Sequence, residues 1–151
     1  MSRPRSEIME RVLIGEILMK RKRITQAQLD HALEVQKKEN GFIGEILVKL
    51  GYLDERDIVV ALVVQCGLPY IAVNKYNIDP QVLTVIPREI ALRERVVPLD
   101  RIGGILSVVM SNPLSDARQA ELETLTKCRV ATFIATKSEI DEAIARFYGS
   151  M

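Results

Sequence analysis

A 25-residue stretch occurs twice in this 151-residue chain, and the repeat constrains the fold more than any other feature. Residues 41–65 (copy two, GFIGEILVKLGYLDERDIVVALVVQ) align without a gap with residues 12–36 (copy one, VLIGEILMKRKRITQAQLDHALEVQ), at an offset of 29 positions. A repeat of fixed period identifies one supersecondary unit. The identical pairs include Ile14/Ile43, Gly15/Gly44, Glu16/Glu45, Ile17/Ile46, Leu18/Leu47, Lys20/Lys49, Ala32/Ala61, Leu33/Leu62 and Gln36/Gln65.

Both copies carry the start and stop signals of two successive helices. In copy two, Gly51 follows apolar residues at helical spacing, where a left-handed residue ends a helix at the least cost. Asp54 then takes the N-cap position of the second helix, as Thr25 does in copy one, where Gln28 completes a capping box. Each copy is therefore predicted to form a short helix, a tight turn and a longer helix.

The second helices of the two copies differ in their surroundings. The segment DIVVALVVQCG of copy two is apolar almost all round, which predicts burial on most sides. The segment AQLDHALEVQKK of copy one is amphipathic and predicts one face in water. Gln36 and Gln65 end the two apolar stripes, on or beside the apolar face.

From Gly67 onward the pattern changes to short strands and helices. We predict strands at 95–99, 105–110 and 130–135, a hairpin turn at 100–104, and helices near 80–85, 87–92, 116–126 and 137–147, the last burying Ile140, Ala143, Ile144 and Phe147. The predicted class is α+β, with a helical subdomain of two helix-turn-helix repeats followed by a small α/β subdomain of about three strands and two to four helices. The predicted segments are a flexible 1–7, a helical 8–66 and an α/β 67–149.

Composition excludes several classes of protein. A net charge of +1 gives no general argument for binding DNA or RNA. No apolar stretch reaches the roughly 18 residues of a membrane span, and no signal-peptide pattern opens the chain, so we expect no direct membrane insertion. Cys66 and Cys128 form no CxxC pair, which favours free thiols in a reducing compartment. We therefore predict a cytoplasmic protein.

Catalytic and metal-binding patterns are missing from the sequence. It contains no phosphate loop of the GxxxxGK type and no GxGxxG fingerprint, and Gly103-Gly104 is better explained as a hairpin turn. The only histidine, His31, lies on the wet face of its helix. We predict no catalytic residues, no metal and no cofactor, hence no enzyme. The basic run Lys20–Arg23 is either a solvated face or a surface that attracts phosphates or an acidic partner.

Two stretches resemble a known family. Residues 43–71, IGEILVKLGYLDERDIVVALVVQCGLPYI, resemble the N-terminal, MshEN-type domain of type II secretion and type IV pilus assembly ATPases (GspE/PilB-like). In that family two 24-residue motifs are separated by five residues, which equals the offset of 29 found here. Residues 96–149 resemble the family's C-terminal subdomain, including an aliphatic strand followed by Asn112-Pro113. The resemblance thus covers about residues 8–149.

The resemblance implies a non-enzymatic regulatory or docking module. Its expected partners are the secretion or pilus machinery or a regulatory protein, reached by protein–protein interaction. The alternative is a sensor that binds the second messenger cyclic di-GMP across the two copies, one guanine half per copy. The sequence is compatible with a stand-alone protein and with one domain of a longer ATPase.

The resemblance also implies a ligand site built from glycines, terminal glutamines and apolar contact positions. The family's arginine before each glycine is replaced by Leu13 and Phe42. Phe42 can stack on a base, and Arg11 or the basic run can replace the missing charge. Lys22 stands where copy two has Gly51, so the turn of copy one is either strained or different. Carried onto this chain, the candidate site comprises Arg11, Gly15, Leu18, Leu29, Leu33, Gln36, Phe42, Gly44, Leu47, Gly51, Ile58, Leu62 and Gln65.

Overall fold

The computed structural model describes residues 14–112, 114 and 116–149, with only the backbone described at Gln65 and Cys66. Within these residues the chain forms eight α-helices and one three-stranded sheet, so the predicted α+β class is confirmed. The chain separates into two compact units, Met1–Gly67 (unit 1) and Leu68–Met151 (unit 2). The segment 1–7, expected to be flexible, lies outside the described residues.

Unit 1 consists of four helices in its described part, two from each copy. They are α1 (Ile14–Lys20), α2 (Gln26–Glu39), α3 (Ile43–Lys49) and α4 (Glu55–Cys66). The copies interlock, because α1 packs against α4 and α2 packs against α3. Apolar side chains from both copies, including Leu18, Leu47 and Leu62, therefore fill one shared core.

The turn after the first helix has the same geometry in both copies. The amide of Arg23 donates to the carbonyl of Leu18 at 2.9 Å, and the amide of Tyr52 donates to that of Leu47 at 3.0 Å. The preceding residues are both left-handed, with φ of 58° at Lys22 and 82° at Gly51. This pattern ends helices in many proteins. Copy one therefore keeps the turn although lysine replaces glycine.

Capping fixes the start of the second helix in each copy. The Gln28 amide donates to Thr25 Oγ1 at 3.1 Å, and the Thr25 amide donates to Gln28 Oε1 at 2.9 Å, as the predicted capping box requires. In copy two the Asp54 amide donates to Asp57 Oδ2 at 3.0 Å. Both boxes satisfy backbone donors that the first turn of a helix leaves without partners.

The prediction that the second helix of copy two is buried on most sides is wrong. Ala61 and Leu62 are buried, but Val60, Val63 and Val64 are 39%, 36% and 64% exposed. Within unit 1 the packing partners of α4 are α1 and α3, each of only seven residues. Such helices are about 10 Å long, so they cover one stripe of α4 and leave the remaining valines in water.

Unit 2 packs helices around a mixed sheet. After a 3₁₀ turn at Val73–Lys75, its elements are α5 (Pro80–Leu83), α6 (Arg88–Glu94), β1 (Val96–Ile102), β2 (Ile105–Met110), α7 (Asp116–Thr126), β3 (Arg129–Ile134) and α8 (Lys137–Tyr148). The strand order is β1-β2-β3, with β1 antiparallel and β3 parallel to β2. Helix α7 makes the crossover that a parallel pair needs.

The hairpin between β1 and β2 is tighter than the sequence suggested. Ile102 pairs directly with Ile105, so the strands continue through residues 100–102 and the turn is confined to Gly103-Gly104. Gly103 has φ of 60°, a conformation that glycine adopts without steric cost. Two-residue turns with positive φ match the twist of paired strands, which explains the shorter loop.

Tyr148, and not Phe147, closes the core of unit 2. Its side chain is fully buried, whereas Phe147 is half-buried, which corrects the predicted buried face of α8. The Tyr148 hydroxyl lies 3.1 Å from the carbonyl of Leu83 and 3.0 Å from that of Ile86 and donates to them. Leu83 is the last residue of the short helix α5 and Ile86 lies three residues beyond it, so neither carbonyl has a partner within a continuing helix, and a buried tyrosine serves better than phenylalanine.

Candidate functional site

The candidate residues of the helical repeat fall into two groups by burial. Leu33, Gln36, Phe42 and Ile58 are half-buried and Gly51 is exposed, so this group is accessible from the surface. Arg11, Leu13 and the side chain of Gln65 lie outside the described part of the structure. The remaining candidates are buried and belong to the core of unit 1: Gly15, Leu18, Leu29, Gly44, Leu47 and Leu62.

The repeated glycines allow two helices of the same copy to approach closely. A Cβ placed at Gly15 would lie 3.0 Å from Leu29 Cδ1, and one placed at Gly44 would lie 2.9 Å from Ile58 Cδ1. Real Cβ atoms rarely come so near. Because Gly15 aligns with Gly44 and Leu29 with Ile58, this contact is a property of the repeat. Helix packing alone explains why a glycine stands at these two positions.

Gln36 holds the connector between the two copies. Its Nε2 donates to the carbonyl of Gly41 at 2.9 Å. The connector is tightly turned, with φ of 61° at Asn40 and 105° at Gly41. Gln36 therefore fixes the path from α2 into α3, and it does so at the half-buried edge of the apolar stripe. This gives the glutamine a structural contact that the sequence did not indicate.

Two polar contacts cross between the copies from aligned positions. Arg23 Nε lies 3.3 Å from Asp57 Oδ1, and the Tyr52 hydroxyl lies 2.5 Å from His31 Nδ1. Arg23 and Tyr52 occupy the same place in the repeat, and each reaches the second helix of the other copy. His31 is exposed, as predicted, but has an aromatic partner. In the sequence, only the 29-residue offset indicates that Arg23 and Tyr52 are equivalent, because an arginine and a tyrosine have different chemistry.

The basic run surrounds the left-handed turn of copy one. Lys20, Arg21 and Lys22 are exposed, and none of them forms an ion pair with another residue that the structure describes. Arg23 differs, because Asp57 compensates its charge. Three uncompensated cations beside one turn attract an anion more strongly than the net charge of the chain suggests.

Residues 14–112, 114 and 116–149 contain neither a metal-binding cluster nor a membrane-spanning helix. No cluster of three or more His, Cys, Asp or Glu side chains has an arrangement suited to a metal ion there. No helix in the same residues combines the length and the apolar character needed to cross a bilayer. Cys128 is a buried free thiol.

The part of the chain that follows the repeat matches a described domain family. A family model described as the MshEN domain matches residues 66–151, more than half of the chain. The chain belongs to the MshEN family. This confirms the resemblance drawn from the residues. The matched region coincides with unit 2 and the last residue pair of unit 1, so the MshEN match is carried by the sheet-containing part of the chain.

Relatives of this MshEN chain include two pilus assembly ATPases and a type II secretion system protein. It is 34% identical over 135 residues to the type IV pilus assembly ATPase PilB of Myxococcus xanthus (89% of this chain, 24% of the relative). It is 31% identical over 137 residues to PilB of Thermus thermophilus (89% and 15%). It is 24% identical over 140 residues to type II secretion system protein E of Xanthomonas campestris pv. campestris (90% and 25%). The chain spans about a quarter or less of the length of these relatives.

Solved structures of MshEN-like chains share the architecture. The structure of MshE with cdg (cyclic di-GMP) has a TM-score of 0.71 at 29% identity and covers 89% of this chain and 98% of that one. The N-terminal domain of XpsE has a TM-score of 0.77 at 20% identity and covers 97% of this chain and 98% of that one. The XpsE likeness supports the fold alone. This chain is thus an MshEN domain of the type found in pilus and secretion ATPases.

Proposed function

We propose that this chain is a regulatory and docking module of pilus or secretion ATPase machinery, and that it works by binding and not by catalysis. Membership in the MshEN family carries the proposal, supported by 34% identity to a pilus assembly ATPase over 89% of the chain. The expected partners are components of the pilus or secretion apparatus, or a regulatory protein associated with it.

The ligand that we propose for this module is cyclic di-GMP. Its two guanine halves are identical, and unit 1 presents two aligned copies whose turns, caps and glycine contacts have the same geometry. A ligand with two equal halves suits a repeat of two aligned copies. The solved structure of MshE with this dinucleotide, similar over 89% of this chain, supports the choice.

The residues proposed to touch the ligand are those at the surface of the repeat. Phe42 supplies a ring for stacking on guanine, a contact worth about 1–3 kcal/mol per base in other proteins. Gln36 and Gln65, which are aligned in the repeat, supply amides, and Leu33 and Ile58 supply apolar contact. The cations of the basic run, and Arg11, offer charge to the phosphates. The buried candidates support this surface from below: Gly15, Leu18, Leu29, Gly44, Leu47 and Leu62.

Isothermal titration with cyclic di-GMP tests the ligand, with GTP and ATP as controls. We expect a dissociation constant in the low micromolar range or below, and we expect Gln36→Ala and Gln65→Ala each to weaken binding by about tenfold, the loss of roughly one hydrogen bond. Gln81→Ala is the matched control, because Gln81 is an exposed glutamine of unit 2 and its removal leaves the repeat intact. Circular dichroism confirms that each variant is folded.

The outcomes separate the ligand from the docking role. If the folded wild-type chain releases no heat at high ligand concentration, cyclic di-GMP is the wrong ligand. If Gln81→Ala weakens binding as much as Gln36→Ala, the site is not in the repeat. The docking role is tested independently by pull-down of purified pilus and secretion components on the immobilised chain. Failure to retain any of them would contradict it.

A further inference from the structure

Two isoleucines form an exposed apolar pair at the end of the β1–β2 hairpin. Ile102 is 74% exposed and Ile105 is 49% exposed. They are direct cross-strand partners on either side of the Gly103-Gly104 turn, so their side chains lie on the same face of the sheet. A single exposed apolar residue is ordinary, but two that are directly paired across a turn form a patch. We call Arg101–Ile105 the hairpin tip.

Cations surround the hairpin tip. Arg129 is paired in register with Ile105, which extends the row Ile102–Ile105 onto β3 with a positive charge. Arg101 and Lys127 are also exposed, and none of these three cations makes an ion pair with a residue that the structure describes. The tip is therefore positive although the whole chain carries only +1.

Two acidic side chains near the hairpin tip, Glu123 and Asp100, form no ion pair with its three cations in the part of the chain that the structure describes. Glu123 Oε2 accepts a hydrogen bond from the amide of Val130 at 2.9 Å, so this carboxylate is held on the backbone of β3. Asp100 lies two residues further from the turn, opposite Ser107. The fold does not need the two isoleucines either, because the turn is held by backbone contacts, including the Arg129 amide on the Gly104 carbonyl at 2.8 Å.

We propose that the hairpin tip binds the surface of an anionic lipid bilayer. The two isoleucines enter the interfacial layer, while Arg101, Lys127 and Arg129 extend their charged ends to lipid phosphates. Basic side chains near an anionic leaflet attract it independently of any spanning helix. The contact is peripheral, and it brings unit 2 to the bilayer surface.

The shape of the tip favours a bilayer over a protein partner. A two-residue turn with its neighbours offers far less than the roughly 1,000 Å² that a specific protein interface buries. A bilayer is continuous and fluid, so a small apolar insertion and a few phosphate contacts are sufficient for reversible attachment. An anionic bilayer and an acidic protein surface complement the charge of the tip equally well. The small contact area of the tip therefore favours the bilayer.

Vesicle co-sedimentation of the 151-residue chain tests the proposal. We expect the chain to pellet with vesicles of phosphatidylcholine containing phosphatidylglycerol, and not with vesicles of phosphatidylcholine alone. The double variant Arg101→Glu/Arg129→Glu should lower the bound fraction about fivefold or more, since each cation near such a surface contributes about that factor. The double variant Ile102→Ser/Ile105→Ser should also lower it about fivefold or more, because it removes the apolar side chains that enter the interfacial layer. High salt should release the wild-type chain.

Two matched controls lie in helix α6, at the far end of β1 from the tip. Leu92 is 38% exposed, and Arg88 is an exposed arginine in the first turn of that helix. Leu92→Ser and Arg88→Glu should leave vesicle binding unchanged. Urea unfolding confirms that all variants are folded.

Three results would overturn the proposal. The first is a wild-type chain that stays in solution with anionic vesicles, which would leave an acidic protein surface as the partner for this tip. The second is equal binding to neutral and anionic vesicles. The third is a loss of binding in Leu92→Ser or Arg88→Glu as large as that in the tip variants.

Discussion

Two aligned residues, Lys22 and Gly51, adopt the same left-handed conformation, which suits glycine and disfavours lysine. Glycine reaches positive φ without steric cost, whereas a side chain with a Cβ loses about 1 kcal/mol there. The turn hydrogen bonds are nevertheless the same in both copies. The packing of α1 on α4 therefore holds a strained residue in place.

Relief of this strain is measurable. We expect Lys22→Gly to raise the free energy of unfolding by about 0.5–1 kcal/mol, because the left-handed conformation costs glycine little. Urea denaturation followed by circular dichroism measures the change. Gly51→Ala is the reverse change at the aligned position of copy two, and it should lower the free energy of unfolding by about 1 kcal/mol. An unchanged or lowered stability of Lys22→Gly would show that the turn is not strained.

The close approach at Gly44 makes a second residue-scale prediction. A Cβ there would meet Ile58 Cδ1 at 2.9 Å, and the next atom, Cγ1, is at 3.6 Å. Ile58→Val removes Cδ1 and so opens the space. We expect Gly44→Ala to be more favourable in the Ile58→Val background than in the wild type by about 1 kcal/mol, as a double-mutant cycle of unfolding measures. Additive effects of the two substitutions would contradict this packing.

Local chemistry made some residues predictable and left others open. The conformation of Gly51 followed from the sequence, because a glycine after a helical run favours one geometry. That of Lys22 did not, since only tertiary packing decides whether an unfavourable turn is kept. The same holds for Gln36, whose contact with the Gly41 carbonyl depends on the path of the connector.

At the scale of elements, helix α8 shows how the phenol hydroxyl of Tyr148 affects stability. Burial raises the pKa of the Tyr148 phenol above its ordinary value. The folded state thus favours the neutral phenol, and the resulting stability is present below the unfolded pKa of about 10 and declines as the pH rises beyond it.

Tyr148→Phe separates the contribution of the hydroxyl's hydrogen bonds from that of its ionisation. At neutral pH we expect the variant to be less stable by about 1–3 kcal/mol, because the carbonyls of Leu83 and Ile86 lose their donor. Above about pH 10 the wild type should lose stability more steeply than the variant, which has no phenol to ionise. Urea denaturation across pH gives both slopes. Parallel slopes would mean that Tyr148 ionises as readily in the folded state as in the unfolded chain.

Elements were predictable where their signals are local. Helix α7 occupies 116–126, as its sequence predicted. The exposure of the α4 valines was not predictable from composition, because it depends on how long the packing partners are. The turn at Gly103-Gly104 was predictable from the two glycines. The prediction was wrong about the strands, which continue through residues 100–102.

At the scale of the whole molecule, the net charge conceals local groups of cations. A net charge of +1 gave no argument for an anionic partner, yet exposed cations at the α1 turn and at the hairpin tip form no ion pair with any residue that the structure describes. The candidate site of the repeat came from a family resemblance, and the structure divides it into a buried group and a surface group. Only the surface group is proposed to meet a ligand directly.

The interlocking of α1 with α4 and of α2 with α3 makes unit 1 resemble a homodimer joined into one chain. The connector at residues 40–42 acts as the tether, and a short tether raises the effective concentration of each copy for the other to about the millimolar range. Neither copy has a complete core alone, so a duplicated gene segment of this kind cannot lose one half. Substitutions such as Lys22 are tolerated because the intact copy and the tether keep the altered copy in place.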